Sequence, residues 1–106
     1  MFIGDHCWLA GLVEGEGSFT GYLPKDRSKM RYNFQLTTVD VDVAYRAADL
    51  LGLRVHGPYY RDDRPTSRPT YKVQTGKYVL VEYIANLLYH HLGERRQEKL
   101  RDLGLV

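Results

Sequence analysis

The chain has 106 residues, 43% of them hydrophobic and 26% charged, with a formal net charge of +2. These values suit one domain spanning residues 1–106 around a modest core, and they exclude a disordered or fibrous chain. The single cysteine excludes an internal disulfide and a CxxC metal framework, while so weak a positive charge permits a nucleic-acid partner without pointing to one.

Residues 1–13 carry no basic leader and are interrupted by Asp5 and His6, which predicts neither a signal peptide nor a membrane span, hence an intracellular protein with no membrane partner. From Trp8 the pattern WLAGLVEGEGSF reads as a helix ending in acids. At about 100° per residue, Trp8, Leu9, Leu12 and Val13 form an apolar stripe, and Cys7, Ala10, Gly11 and Glu14 form a second face of small residues. A glycine inside a helix costs roughly 1 kcal/mol relative to alanine, so Gly11 predicts the close approach of another helix. Asp5 is the predicted N-cap and Gly15 and Gly17 the stop. Glu16 then projects just past the helix end, where backbone thinned by two glycines leaves room for a cation.

Next, Ser18, Thr20 and Tyr22 alternate with Phe19, Gly21 and Leu23, which is strand periodicity. Residues 24–30 read as a charged hairpin loop. Arg31, Asn33, Gln35 and Thr37 then alternate with Tyr32, Phe34 and Leu36, predicting a second strand with one polar and one apolar face. Residues 40–51 predict a helix with Asp40 and Asp42 at its positive end, alanines 44, 47 and 48 inside, and Gly52 as the stop. Residues 53–61 and 70–75 predict a second hairpin joined by residues 62–69, with Tyr71 and Val73 inward and Lys72 and Gln74 outward. Residues 78–92 place Leu80, Ile84, Leu87, Leu88 and His91 at helical spacing, and a charged helix at 94–103 closes the chain. The fold class is α+β, in the order αββαββα with a terminal helix, its antiparallel sheet covered by helices on one face. No internal repeat or linker interrupts it.

The nine residues from Leu9 to Gly17 closely resemble the motif of the LAGLIDADG homing endonucleases. Leu9, Ala10, Gly11, Leu12 and Gly17 are identical to the consensus. Val13 stands for isoleucine, Glu14 and Glu16 for aspartates, and Gly15 for alanine. The resemblance implies a saddle-shaped sheet, motif helices packed side by side, and a divalent metal bound by the final acid, which is Glu16 here. Single-motif members act as homodimers, so it also implies dimerisation through Cys7, Ala10, Gly11 and Glu14. The small face supports this independently, because a twofold interface must complement itself. Two departures from the pattern stand out. With Gln97 as the family's glutamine in the last helix, the position of its active-site lysine holds Glu94, leaving Arg95 or Arg96 to stand in, and arginine is the poorer proton shuttle. The polar residue closing the second strand corresponds to Thr38, shorter than the usual glutamine.

Phosphodiester hydrolysis calls for a hard divalent cation with oxygen ligands, Mg2+ or another such as Mn2+ or Ca2+, and Glu16 with the Gly15 carbonyl are the candidate ligands. A two-stranded ribbon fits the major groove, where arginine reads guanine and asparagine or glutamine reads adenine. Arg31, Asn33 and Gln35 are those residue types on one face, extended by Ser18, Thr20, Tyr22, Thr37, Lys72 and Gln74. Arg61 and the loop residues Lys25, Arg27 and Lys29 are placed to reach bases or phosphates. The expected activity is sequence-specific cleavage of double-stranded DNA with no small-molecule substrate, and the resemblance implies Glu16, Thr38, Arg95 and Arg96 at the catalytic centre. The alternative is a DNA-binding or RNA-splicing module of the same fold that has lost cleavage, which the missing lysine favours.

Other signals carry less. Gly15, Gly17 and Gly21 miss the dinucleotide fingerprint by one residue, and Glu16 between them would repel a pyrophosphate. His6, His56, His90, His91 and Cys7 match no common zinc spacing, and His91 is expected to face the core. Of the nine tyrosines, Tyr32, Tyr71 and Tyr83 fall at core phases.

Overall fold

Side-chain alternation along four strands decides the architecture. The computed structural model describes all residues except 27, 62, 64, 65 and 67. Its elements are α1 (Ile3–Glu16), β1 (Gly17–Tyr22), β2 (Arg31–Thr38), α2 (Val41–Leu51), β3 (Val55–Tyr59), β4 (Thr70–Thr75), α3 (Tyr78–Leu88), a 3-10 turn (Tyr89–His91) and α4 (Glu94–Asp102). This is the expected α+β order. The sheet runs β1-β2-β4-β3 and every neighbouring pair is antiparallel. Two hairpins are thus joined through their second strands, with Leu36 opposite Gly17 on one side and Val73 on the other.

That register puts Phe19, Phe34, Leu36, Val73 and Thr75 on one face, where all are buried beneath the helices. The Phe19 and Phe34 rings meet at 5.0 Å between centroids, tilted by 51°. Leu9 and Val13 of α1, Val81, Ile84 and Leu88 of α3, and Leu100 of α4 complete the core. α2 lies against β2 and β4 through Ala44, Ala47, Ala48 and Leu51, three of which are small enough for a helix backbone to come close to the sheet. Two helices end alike. Gly52 and Gly104 adopt the left-handed conformation, and the residues after them, Leu53 and Leu105, donate backbone hydrogen bonds to the carbonyls of Ala48 (2.9 Å) and Leu100 (3.0 Å). Leu105 is thereby folded back into the core.

The structure corrects several sequence expectations. α1 begins at Ile3 with Phe2 as its N-cap, and Asp5 lies in the first turn, where it pairs with Arg46 of α2 at 3.4 Å rather than capping the helix. The Arg46 guanidinium also lies 4.0 Å from the Trp8 ring centroid, so Trp8 is held at the core's rim. The buried stripe of α1 is Leu9, Ala10 and Val13, with Trp8 and Leu12 flanking it, because α1 packs against β1, β2, α3 and the 3-10 turn. Ala10 therefore belongs to the chain's own core rather than to the small outer face. In α3 the buried residues are Val81, Ile84, Ala85 and Leu88, and Tyr83 is exposed. The helix gives way to the 3-10 turn at Tyr89, which takes His91 out of the helical phase to an exposed position, stacked on His6 at 5.8 Å.

Gly17 joins α1 to β1 at an ordinary φ of −100°, so its need for glycine is purely steric. A Cβ there would stand 2.9 to 3.0 Å from Cγ1, Cα and O of Val13. Gly17→Ala is expected to cost about 1–3 kcal/mol in urea unfolding by overpacking this junction. An unchanged midpoint would show that the junction has slack.

Candidate nucleic-acid interface and metal site

The face of the sheet away from the helices carries polar rows that the strand register aligns. Ser18 stands opposite Gln35, and Gln35 opposite Gln74. Thr20 faces Asn33, Tyr22 faces Arg31, and Thr37, Lys72 and His56 form a row across β2, β4 and β3. All are exposed or half-buried. The structure thus brings together Ser18, Thr20, Tyr22, Arg31, Asn33, Gln35, Thr37, Lys72 and Gln74 on one surface. It adds three residues that sequence reasoning missed: His56, Tyr59 and Thr70. The register shifts between His56 and Tyr59, where Gly57 adopts a φ of 122°, so simple alternation could not have placed both on the same face. Tyr59 lies opposite Thr70 and holds the Lys72 ammonium 5.6 Å from its ring centroid.

Lys25 and Lys29 are exposed in the loop joining β1 to β2; Arg27, expected beside them, lies outside the described residues. Asp26 shapes that loop by accepting from the Ser28 amide at 3.1 Å and the Ser28 hydroxyl at 3.0 Å, and these bonds hold its carboxyl below the usual carboxylate range. Arg61 follows β3, exposed and paired with Asp63 at 3.3 Å.

Glu16 is the last residue of α1 and is exposed at the end of the polar face. It lines an open depression with Thr37, Thr38, Val39, Asp40 and Thr70. The Thr38 hydroxyl accepts from the Asp40 amide at 3.1 Å, which fixes the turn from β2 into α2. Thr38 and Glu16 therefore line one depression. The adjacent Gly15 carbonyl lies in the final helical turn, beyond the reach of an intrahelical donor.

Arg96 has a different position. Its Nε donates to Glu14 Oε2 at 3.0 Å, its Nη2 to the Glu14 carbonyl at 2.8 Å, and its Nη1 to the Gly17 carbonyl at 2.8 Å. Glu14 Oε1 also accepts the Gly93 amide at the start of α4 at 2.5 Å, a favourable place for a carboxylate. Arg96 and Glu14 thus tie α4 to the end of α1 within one chain. Arg95 is exposed and borders a second depression with Gly17, Ser18 and Lys99.

No family model matches the chain, and no curated protein matches it in sequence. Solved structures do match in shape. The LAGLIDADG homing endonuclease I-GzeII in complex with its DNA target superposes over 98% of this chain with a TM-score of 0.74 at 21% identity. The group I intron-encoded homing endonuclease I-CeuI, complexed with DNA, does so over 97% with a TM-score of 0.72 at 16% identity. I-CvuI, bound to its target in the presence of calcium, gives 93%, 0.67 and 17%. The chain has the LAGLIDADG homing-endonuclease fold. It spans 35% of the I-GzeII chain, 53% of the I-CeuI chain and 66% of the I-CvuI chain.

Within this LAGLIDADG fold, α1 is the motif helix and carries the one copy of the motif. Its outward glycines, Gly4, Gly11 and Gly15, have open space beside them, and Cys7 is exposed on the same helix. No three His, Cys, Asp or Glu residues converge on a metal-sized point among the described residues. The Glu16 carboxylate and the Gly15 carbonyl are hard oxygen donors and fit a divalent cation that takes its remaining ligands from elsewhere. No helix among the described residues is long and apolar enough to cross a membrane.

Glu14→Gln removes the charge that holds both Arg96 and the α4 N-terminus. Since the Glu14 side chain is 40% exposed, the loss is expected at about 1–2 kcal/mol in urea unfolding. A variant as stable as the wild type would show that the carbonyl contacts of Arg96 suffice.

Proposed function

We propose that this chain is a sequence-specific, divalent-metal-dependent endonuclease of double-stranded DNA that acts as a homodimer on a long near-palindromic site. The observation that carries the reading is the position of Glu16. The acid that closes the motif stands at the end of a bare polar sheet face, so a duplex lying on that face brings a phosphate to a carboxylate. Structures of I-GzeII and I-CeuI with DNA, and of I-CvuI with calcium present, support the same reading for the partner and the cation.

Recognition falls to Arg31, Asn33, Gln35, Gln74 and Lys72, whose donors and acceptors face outward from adjacent strands and match base edges in the major groove. Lys25, Lys29, Arg95 and Lys99 flank the face as phosphate contacts. Glu16 and the Gly15 carbonyl would hold the cation, with Thr38 beside them to order water. A bound Mg2+, Mn2+ or Ca2+ would supply charge neutralisation at the phosphate and, for Mg2+ or Mn2+, an activated water. Two copies joined through the outer face of α1 place two Glu16 carboxylates near one axis, one for each strand.

A second reading has its own support. Position 94 is a glutamate, and Arg96 is already engaged with Glu14 and two backbone carbonyls. Of the two arginines that could stand in for the lysine, Arg96 is thus committed elsewhere, which suits a module that binds nucleic acid and does not cut it.

Selection from a randomised duplex library, with and without magnesium, separates the two. Glu16→Gln is expected to abolish magnesium-dependent cleavage of the selected duplex while specific binding survives, since the shape is kept and one negative charge near a phosphate is gone. Wild-type protein that binds a specific site and never cuts it under any divalent metal would establish the second reading instead. For assembly, Gly11→Leu is expected to leave the monomer folded, because nothing lies within 4 Å of a Cβ there, and to shift sedimentation from dimer to monomer. A variant dimer of unchanged size would remove α1 from the interface.

A further inference from the structure

Arg68, in the segment that leads into β4, donates from Nη2 to Asp40 Oδ1 at 3.1 Å. Asp40 precedes α2 at its N-cap position, where an aspartate ordinarily accepts from the first free amides of its own helix. Here its side chain makes no such bond and turns to Arg68 instead. Asp40 lines the Glu16 depression, and so does Thr70, two residues beyond Arg68. A guanidinium is therefore held at the rim of the proposed cleavage site by a carboxylate that leaves its usual capping role to hold it.

We propose that Arg68 is the cation of the cleavage site: on duplex binding it passes from Asp40 to the scissile phosphate and stabilises the charge that builds there. This rests on the endonuclease reading above. The chemistry agrees with the position. Glu16 and Asp40 put two carboxylates in one depression, which would repel a phosphate unless cations offset them. A metal held by Glu16 offsets one, and Arg68 the other. The Arg68 and Asp40 side chains are 69% and 52% exposed, and an ion pair so open to water is held weakly enough to exchange partners. A guanidinium fork also matches two phosphate oxygens better than an ammonium does. Arg96 is fixed by three hydrogen bonds to the α1–β1 junction and leaves this role open.

Charge balance gives the test. Arg68→Gln removes the cation and leaves Asp40 facing the phosphate, so affinity and cleavage both fall. Adding Asp40→Asn restores neutrality and keeps a good N-cap residue. The double variant Asp40→Asn/Arg68→Gln is expected to regain wild-type duplex affinity, measured in calcium, while single-turnover cleavage in magnesium stays about 10²-fold down. Arg68→Lys should recover part of that rate. Recovery of cleavage together with affinity in the double variant, or wild-type cleavage by Arg68→Gln alone, overturns the proposal and leaves the endonuclease reading intact. A wild-type protein that binds duplex and never cuts overturns both.

Discussion

The joint between α1 and β1 is the constraint on which the rest depends, and one guanidinium holds it. Arg96 reaches from α4 to the Glu14 carboxylate and to the carbonyls of Glu14 and Gly17, thereby bracketing the residues where helix becomes strand. Carbonyls at a helix end lack intrahelical donors, and these are satisfied by a side chain from the far end of the chain. Gly17 sits so tightly on Val13 that no side chain fits there. Between these two fixed points stands Glu16. Its direction relative to the sheet is set by contacts it does not itself make.

From that joint the polar face follows by register. β1 leaves Gly17 opposite Leu36, so Ser18, Thr20 and Tyr22 must share a face with Gln35, Asn33 and Arg31. A slip of one residue would send the phenylalanines to solvent. β2 and β4 pair through Leu36 and Val73, and the same parity carries Thr37, Lys72 and Gln74 outward. Hydrophobic burial on one side thus positions hydrogen-bonding groups on the other with no interaction of their own required.

How much of this the sequence discloses depends on the range of the determining contacts. Strands and their faces are legible because period-two alternation in 31–37 and 70–75 is a local signal, and Gly52 announces the end of α2 through its own conformation. The rotation of α1 is not local. Trp8 and Ala10 are both compatible with burial, and the choice is made by α3 and by Arg46 stacking on Trp8. His91 fails for a related reason: the helical phase is sound to Leu88 and is broken by a 3-10 turn that no residue type there signals. Among the candidate site residues, Glu16 is read from its motif and Thr38 from its place at the strand end, and the fold brings them into one depression. Tyr59 and His56 are hidden by an irregular register, and the Arg68–Asp40 pair by a sequence separation of 28 residues. Asp40 was legible as the start of a helix, but its side chain's partner was not.

The distribution of charge matters more than its sum. Four arginines, 46, 61, 68 and 96, are paired with Asp5, Asp63, Asp40 and Glu14, so each adds little to the field beyond its own partner. Among the described residues, the field over the polar face then comes from Arg31, Lys72, the loop lysines 25 and 29, and Arg95 with Lys99 at the flank. Cations spread along a face suit a polyanion better than an equal charge gathered at one point, because each phosphate meets one near neighbour. Against that field Glu16 is the exception. Of the two acids in its depression, Asp40 is paired and Glu16 is not, among the described residues. On the proposed reading, a duplex drawn to the lysines must bring a phosphate toward this unpaired carboxylate, and the approach becomes favourable once a divalent cation lies between them. Binding strength and metal demand would then arise from one arrangement, with general attraction along the face and a single local repulsion where chemistry is to occur.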